Sequence, residues 1–146
     1  MKRLLSSLIA CLGLSGALAS GLVAQQSPAS ILGRWRGQSI CVKAGYNASC
    51  NDEQVIYVME PSAAGGKAVT MHAFKIVNGV PESMGDLEFS PDSVPNQWSG
   101  EFSNTRVHIR LTFIVAGDSL RGRMVGVPGG EVHRNMAAVR ETRTAF

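Results

Sequence analysis

The sequence predicts an all-β fold, an eight-stranded antiparallel up-and-down β-barrel. Strand-like segments recur at intervals of about ten residues and are separated by turns rich in Gly, Pro and Asn, a pattern typical of a sandwich or a barrel. No segment keeps the period of an amphipathic helix. The turns are short, so each strand can pair with its predecessor, and such a meander hides its edges only when it closes.

The first strand is expected to begin at Gly33 and to point Trp35 into the core. Side chains alternate across a strand, so every second residue shares a face. One face here carries Trp35, Gly37, Ser39 and Cys41. A buried Trp removes a large apolar area from water, so Trp35 can anchor one end of a small core. We therefore assign structural roles to Gly33 and Trp35.

Two cysteines bracket a short loop after this strand. Cys41 and Cys50 are separated by eight residues that include the turn formers Gly45 and Asn47. This spacing differs from the C-x-x-C of redox pairs, and a disulfide is favoured in an oxidising compartment. We predict a structural disulfide between them, with two free thiols or a redox pair as the alternative.

The remaining strands are predicted from alternation and from the turns that end each run. The predicted segments are 54–60, 67–77, 82–90, 97–103, 106–116, 119–127 and 131–140. Asn78-Gly79 is a strong hairpin signal. The clearest alternation lies in 106–116, where one face is apolar and the other carries charged and polar side chains. The apolar face consists of Val107, Ile109, Leu111, Phe113 and Val115.

The N-terminal residues have the layout of a bacterial Sec-type signal peptide. Lys2 and Arg3 precede an uncharged run over residues 4–24, with small-residue cleavage sites after Ala19 or Ala24. We expect a signal peptide at 1–24, a single β-barrel domain at 25–146, and a secreted or periplasmic protein that meets the membrane only through its signal peptide. An uncleaved anchor and lipidation at Cys11 are the alternatives.

The charge balance argues against a nucleic-acid partner. The chain has 14 basic and 11 acidic residues, and loss of Lys2 and Arg3 leaves 12 basic against 11 acidic, a formal charge of +1. Acidic residues cluster between 82 and 101, and arginines dominate from 106 onward. We expect neighbouring strands to pair these opposite charges across a solvated face.

No residue pattern for catalysis or metal binding is present in the sequence. His72, His108 and His133 are scattered singly, without a second ligand at metal spacing. The sequence contains no G-x-S-x-G elbow and no P-loop. We therefore expect no enzyme, no catalytic residue, no metal and no cofactor.

With Gly33-x-Trp35 in the first strand, eight meandering strands and an arginine in the last strand, the chain resembles small secreted bacterial lipocalin-like proteins of unassigned function. These are calycin-type barrels of the lipocalin and avidin-like group. The resemblance implies that an arginine packs over the Trp35 indole as a cation–π contact. Arg140 or Arg134 matches that position, and we assign the structural role to Arg140.

The chain also resembles the periplasmic metalloprotease-inhibitor barrels, which share a signal peptide, a Gly-x-Trp strand, eight strands and one disulfide. The resemblance implies that an extended N-terminal segment blocks the protease cleft. Residues 27–30 match that position, and they are equally compatible with a loose terminus left by processing.

The leading functional expectation is a non-enzymatic, monomeric secreted barrel that binds a small apolar or amphipathic, lipophilic molecule. The small residues Gly100, Gly122, Gly126 and Ala138 are inward candidates that could leave a cavity. The interior candidates for ligand contact are Trp35, Tyr57, Trp98, Phe113 and Met124. The alternatives are a protein-binding barrel, such as an inhibitor of a secreted protease, and a solid-core envelope protein with a structural role.

Overall fold

The computed structural model describes residues 30–42 and 50–142, and these form a closed, all-β barrel of eight antiparallel strands. The predicted up-and-down topology is confirmed, since each strand pairs with its neighbours in sequence and β1 also pairs with β8. The strands are β1 (Gly33–Cys41), β2 (Glu53–Pro61), β3 (Val69–Val77), β4 (Val80–Pro91), β5 (Gln97–Ser103), β6 (His108–Ala116), β7 (Ser119–Gly126) and β8 (Val132–Arg140). The predicted signal peptide, with both cleavage sites, and residues 27–29 of the proposed inhibitory segment lie outside the described residues.

The two ends of the barrel are distinguished by the strand termini that lie at each. The sealed end is where β1 begins at Gly33 and β8 ends at Arg140, and the mouth is where β1 ends at Cys41 and β2 begins at Glu53. The β3–β4, β5–β6 and β7–β8 turns also lie at the mouth.

The strand registers place one side of every strand in the interior. Trp35 pairs with Tyr57 on β2 and with Arg140 on β8, so these three side chains point to the same face of the sheet. Phe113 on β6, which pairs with Trp98, points to that inner face too. The resulting apolar core contains Ile31, Trp35, Val55, Tyr57, Met59, Val69, Met71, Ala73, Phe89, Leu111, Phe113, Val115, Leu120, Met136 and Ala138. Most of the barrel interior is therefore filled by side chains, as expected for eight strands.

Inward glycines in the barrel wall are places of close approach. An added Cβ at Gly37 would lie 1.9 Å from the carbonyl oxygen of Ala137, and one at Gly122 would lie 2.5 Å from the Phe113 ring. An added Cβ at Gly100 would lie 2.4 Å from the carbonyl oxygen of Glu88. These glycines let rings and backbones pack tightly, so the expectation that Gly100 and Gly122 leave a cavity does not hold. It does not hold at Gly126 or Ala138 either, because an added Cβ at Gly126 would lie 3.1 Å from the His133 ring and Ala138 is part of the packed core.

Asn78-Gly79 forms the predicted hairpin turn between β3 and β4. The φ angles are 52° at Asn78 and 82° at Gly79. Positive φ at both central residues is the requirement of the type I′ turn, whose twist matches that of the flanking strands.

The predicted disulfide joins Cys41 and Cys50, whose Cα atoms are 5.9 Å apart. Next to it, the Cys41 backbone N–H donates to Asp52 Oδ1 at 2.9 Å. The bridge therefore fixes the end of β1 to the chain that enters β2, directly at the mouth. A disulfide is stable in an oxidising environment.

Opposite charges pair across neighbouring strands on the outer face, as the sequence predicts. Arg110 on β6 donates to Glu101 on β5, with Nε 2.7 Å from Oε1, and His108 lies 3.1 Å from the other carboxylate oxygen. Lys75 on β3 lies 3.5 Å from Glu82 on β4. These pairs are exposed, so each contributes little to stability.

Candidate functional site

A pocket of about 380 Å³ opens at the mouth and continues into the barrel interior. Its base meets the buried core at Met71, Leu111 and Met136, and its rim carries Met84 and Phe102, each 43% exposed. The other lining residues are Ser39, Glu53, Tyr57, Ala73, Gly85, Asp86, Leu87, Ile109, Met124 and Arg134. The volume lies toward the lower end of the range of roughly 300–1,000 Å³ that is typical of small-molecule sites.

Small residues on β3 and β4 make room for the pocket. Ala73 pairs with Gly85 at an inward position, and an added Cβ at Gly85 would meet nothing within 4 Å. This contrasts with Gly122, where the Phe113 ring occupies the equivalent space. Ala73 and Gly85 therefore place little side-chain volume on one wall of the pocket.

Two β-bulges interrupt the ladder at the mouth. On β4 the register passes from Ala73↔Gly85 to Phe74↔Ser83 and skips Met84. Between β7 and β8 the register shifts between Met124 and Val125. A bulge bends its strand and increases the local twist, and bulges are frequent at barrel rims and beside binding sites. Both distortions lie at the end of the barrel where the pocket opens.

The seam between β4 and β5, where few residues of the two strands pair, lies beside the pocket. Although both strands are fully described, their register comprises only the pairs Ser90↔Ser99 and Pro91↔Trp98, near the sealed end. Farther toward the mouth, Leu87 and Phe102 both line the pocket across this seam. The pocket is therefore bordered by apolar side chains of β4 and β5 beyond the point where the pairing of these strands ends.

A charged network forms the polar wall of the pocket, on β1, β2 and β8. Arg134 Nη1 lies 3.0 Å from Glu53 Oε2 and donates to Ser39 Oγ at 2.9 Å. Arg134 Nη2 donates to the carbonyl oxygen of Asn51 at 2.9 Å. The side chains of Arg134 and Glu53 are only 12% and 25% exposed, so solvent screens this pair less than it screens the outer pairs.

The phenol of Tyr57 adjoins the same polar wall. Burial raises the pKa of Tyr57 far above its usual value, an effect larger than the opposing ones of its hydrogen bond to Ser39 and of nearby Arg134. The phenol therefore stays neutral, and it can act only as a hydrogen-bonding group.

The sealed end has a different construction, because Arg140 lies over the indole of Trp35 at 4.1 Å from the ring centroid. Arg140 Nη2 donates to the carbonyl oxygen of Ser30 at 2.7 Å, and the Trp35 indole N–H donates to that of Ile31 at 2.8 Å. Both groups thus hold the chain that precedes β1 across this end of the barrel. Arg134, the other arginine matched to the indole contact, lies instead at the mouth.

The five interior candidates from the sequence fall in three places. Tyr57 and Met124 line the mouth pocket. Trp35 and Phe113 are fully buried in the packed core, where the Phe113 ring lies 5.5 Å from that of Tyr57. Trp98 lines a separate concavity at the sealed end.

Sequence reasoning did not assign Glu53, Ser39 or Ala73 to a site, and it considered Arg134 only as a partner of the indole. A usable signal existed for two of these residues. Ser39 shares the strand face of Trp35, and Arg134 lies six residues before Arg140, so period-two alternation places both side chains inward. Glu53 could not be found this way, because its position depends on where β2 begins.

Two concavities at the sealed end, of about 520 and 980 Å³, are less suitable as sites. One is lined by Ser30–Leu32 and residues of the β2–β3 and β4–β5 turns, and the other by Gly33, Arg34, the end of β2 and Arg140. Neither concavity is lined by an inward ion pair comparable to that of Glu53 and Arg134. The mouth pocket is therefore the strongest candidate.

Within residues 30–42 and 50–142, no cluster of three or more His, Cys, Asp or Glu side chains is arranged to hold a metal ion. His72 contacts Asp86 at 2.8 Å and His108 contacts Glu101, so these two histidines take part in separate surface pairs. His133 is buried, with its ring close to Gly126.

No protein-family model matches the chain, and no curated protein matches it at a significant level. The architecture of the described residues is consistent with a lipocalin-like barrel. The same residues include no helix with the length and apolar character needed to cross a membrane.

Proposed function

We propose that this protein is a secreted, non-enzymatic barrel that binds a small apolar or amphipathic molecule in the mouth pocket. The observation that carries the proposal is a pocket of about 380 Å³ that is continuous with the barrel interior and lined mainly by apolar side chains. Apolar lining with a few converging polar groups is the usual composition of small-molecule sites.

The methionines of the pocket support an adaptable apolar site. Met71, Met124 and Met136 line it, and Met84 lies at the rim. Met has a flexible, polarisable side chain that adjusts to irregular shapes, and it is common at surfaces that accept varied apolar partners. The disulfide at the mouth agrees with a secreted location.

The alternative functions have less support. A solid-core structural protein agrees with the packed sealed end but gives no role to the open space beside Ala73 and Gly85. A protease inhibitor of the kind considered from the sequence depends on residues 27–30, of which only Ser30 is described. That alternative stays a prediction.

The binding of N-phenyl-1-naphthylamine, an uncharged fluorescent lipophile, tests the proposal. The mature protein should bind the probe saturably, with enhanced fluorescence. Ala73→Phe should weaken binding by about tenfold or more, because the new ring occupies the space beside Gly85.

Ala137→Phe is the matched control, because Ala137 is exposed and its side chain points away from the interior. This variant should bind the probe as the wild type does. The proposal is wrong if the wild type shows no saturable binding, or if the two variants lose affinity equally.

A further inference from the structure

We propose that the mouth pocket selects an uncharged amphiphile, an alkyl or acyl chain that bears a hydroxyl group, and that the Glu53–Arg134 ion pair sets this selectivity. The inference rests on the proposed function and names the ligand class of the same pocket. It excludes ionised fatty acids and alkylammonium compounds as preferred ligands.

The charge of Arg134 is already neutralised inside the pocket. Its guanidinium contacts the Glu53 carboxylate at 3.0 Å and also donates to Ser39 and to the carbonyl oxygen of Asn51. A lone arginine in the wall of an apolar pocket would favour a carboxylate ligand through a charge-assisted hydrogen bond. Here the protein itself supplies that carboxylate, from Glu53.

Binding would therefore remove water from an ionised ligand group without providing an unpaired opposite charge to offset the desolvation cost. A ligand carboxylate near Arg134 would also lie near the negative charge of Glu53, and an ammonium near Glu53 would also lie near Arg134. Burial of a charge is costly unless a partner and hydrogen bonds compensate it. The other charged residue of the lining, Asp86, contacts His72 at 2.8 Å and adds negative charge at the rim.

The exposure of the two partners indicates which polar group the ligand carries. Glu53 is 25% exposed and Arg134 is 12% exposed, so the acceptor is the more accessible member of the pair. A hydroxyl can donate to that carboxylate and can also accept from the neutral phenol of Tyr57 or from Ser39. A hydroxyl therefore satisfies the polar wall without adding a charge.

The apolar part of the ligand has a continuous path away from the polar wall. Met71 and Ala73 lie beside it on β3, and Leu87 and Phe102 flank the seam between β4 and β5. A flexible chain with its hydroxyl at Glu53 can follow this line toward the seam. The shape of the lining therefore fits a linear amphiphile.

Three ligands of equal chain length test the selectivity: 1-decanol, decanoate and decyltrimethylammonium. Each competes at neutral pH against N-phenyl-1-naphthylamine, with wild type, Glu53→Gln, Arg134→Gln and the control Glu60→Gln, which removes an exposed carboxylate from the same strand. Circular dichroism and thermal unfolding check that each variant is folded.

The wild type and Glu60→Gln should prefer decanol to either ion. Glu53→Gln should improve decanoate affinity relative to decanol by about tenfold or more, because it releases Arg134 for the ligand. Arg134→Gln should instead improve decyltrimethylammonium relative to decanol. Since these changes have opposite signs, either variant alone still tests the inference if the other does not fold.

The outcomes separate the two proposals. The selectivity inference is wrong if the wild type binds the probe but prefers decanoate to decanol, or if neither variant changes the relative affinities of the three ligands. The proposal that the mouth pocket binds apolar molecules is unaffected by either result. If the wild type and both variants bind neither the probe nor any of the three ligands, both proposals are wrong.

Discussion

The two ends of this barrel have the same strand geometry, but one end is packed with side chains and the other contains a pocket. Arg134 and Arg140 point to the same side of β8, six residues apart, yet Arg140 covers the Trp35 indole at the sealed end and Arg134 is part of a charged wall at the mouth. At the sealed end the inward positions carry large, fully buried side chains, whereas Ala73 and Gly85 leave open space at the mouth.

The difference shows how one small barrel can combine stability with a binding site. The sealed end and the middle of the barrel supply the buried apolar area that stabilises the fold. The mouth contributes less apolar burial and is held by the disulfide and the Glu53–Arg134 pair. Substitutions at the sealed end or in the core should therefore change stability, and those at the mouth should change binding.

The largest expected effect is the loss of a central aromatic ring. Phe113→Ala should lower the free energy of unfolding by about 3–5 kcal/mol, because the ring is fully buried and lies 5.4 Å from that of Phe89. Met124→Ala should cost clearly less, since that side chain is only partly buried at the mouth. Urea unfolding measures both, and equal losses would contradict the division between core and mouth.

Removal of the arginine at the sealed end should have an intermediate effect. Arg140→Met should lower the free energy of unfolding by about 1–3 kcal/mol, through loss of the cation–π contact and of the hydrogen bonds to Leu32 and Ser30. Affinity for N-phenyl-1-naphthylamine should not change, because Arg140 is far from the mouth. A lost affinity with unchanged stability would reverse the roles assigned to the two ends.

The smallest expected effect is on the stability of the fold at acidic pH. Arg36 and then Arg34 lower the pKa of Glu141 below its ordinary value of 4.5 through hydrogen bonds at the sealed end. A depressed carboxyl pKa stabilises the fold above the ordinary value, and this stabilisation is lost as the pH falls through the folded-state pKa.

Thermal unfolding between neutral pH and acid should therefore show a weaker pH dependence in Glu141→Gln than in the wild type. Arg110 and then His108 likewise lower the pKa of Glu101, but that side chain is more exposed than Glu141, 42% against 29%, so Glu101→Gln should change the pH dependence less. An unchanged acid response in Glu141→Gln would show that these ion pairs do not form in solution.

Much of the fold could be predicted from the sequence because alternation and turn residues are local signals. The eight strands, the Asn78-Gly79 turn and the inward face of β1 all follow from short stretches of chain. The bounds of β4 were harder. It runs from Val80 to Pro91 and so extends beyond the predicted 82–90 at both ends. It includes Pro81, because a strand with little pairing on one side tolerates proline.

The pocket itself could not be predicted, because it depends on non-local register. The two bulges decide which side chains face inward beyond Ala73 and Met124. A glycine inside a strand, such as Gly85 with φ 112°, often marks a bulge, but it does not fix the register that follows. The role of Glu53 likewise depends on its meeting Arg134 across β1, through strand pairings that alternation alone does not fix. Alternation predicts whether a side chain points inward or outward, but it does not predict which side chains contact each other at the mouth.

The most direct test of the binding site is a ¹³C-methyl NMR titration of the methionines of residues 25–146 with 1-decanol. Met124 and Met136 line the mouth pocket, whereas Met59 is buried nearer the sealed end, opposite Gly33 in the strand register. We expect saturable shifts of the Met124 and Met136 methyl signals and no shift of the Met59 signal. Shifts confined to Met59, or no saturable shift at any of the three, would contradict ligand binding at the mouth.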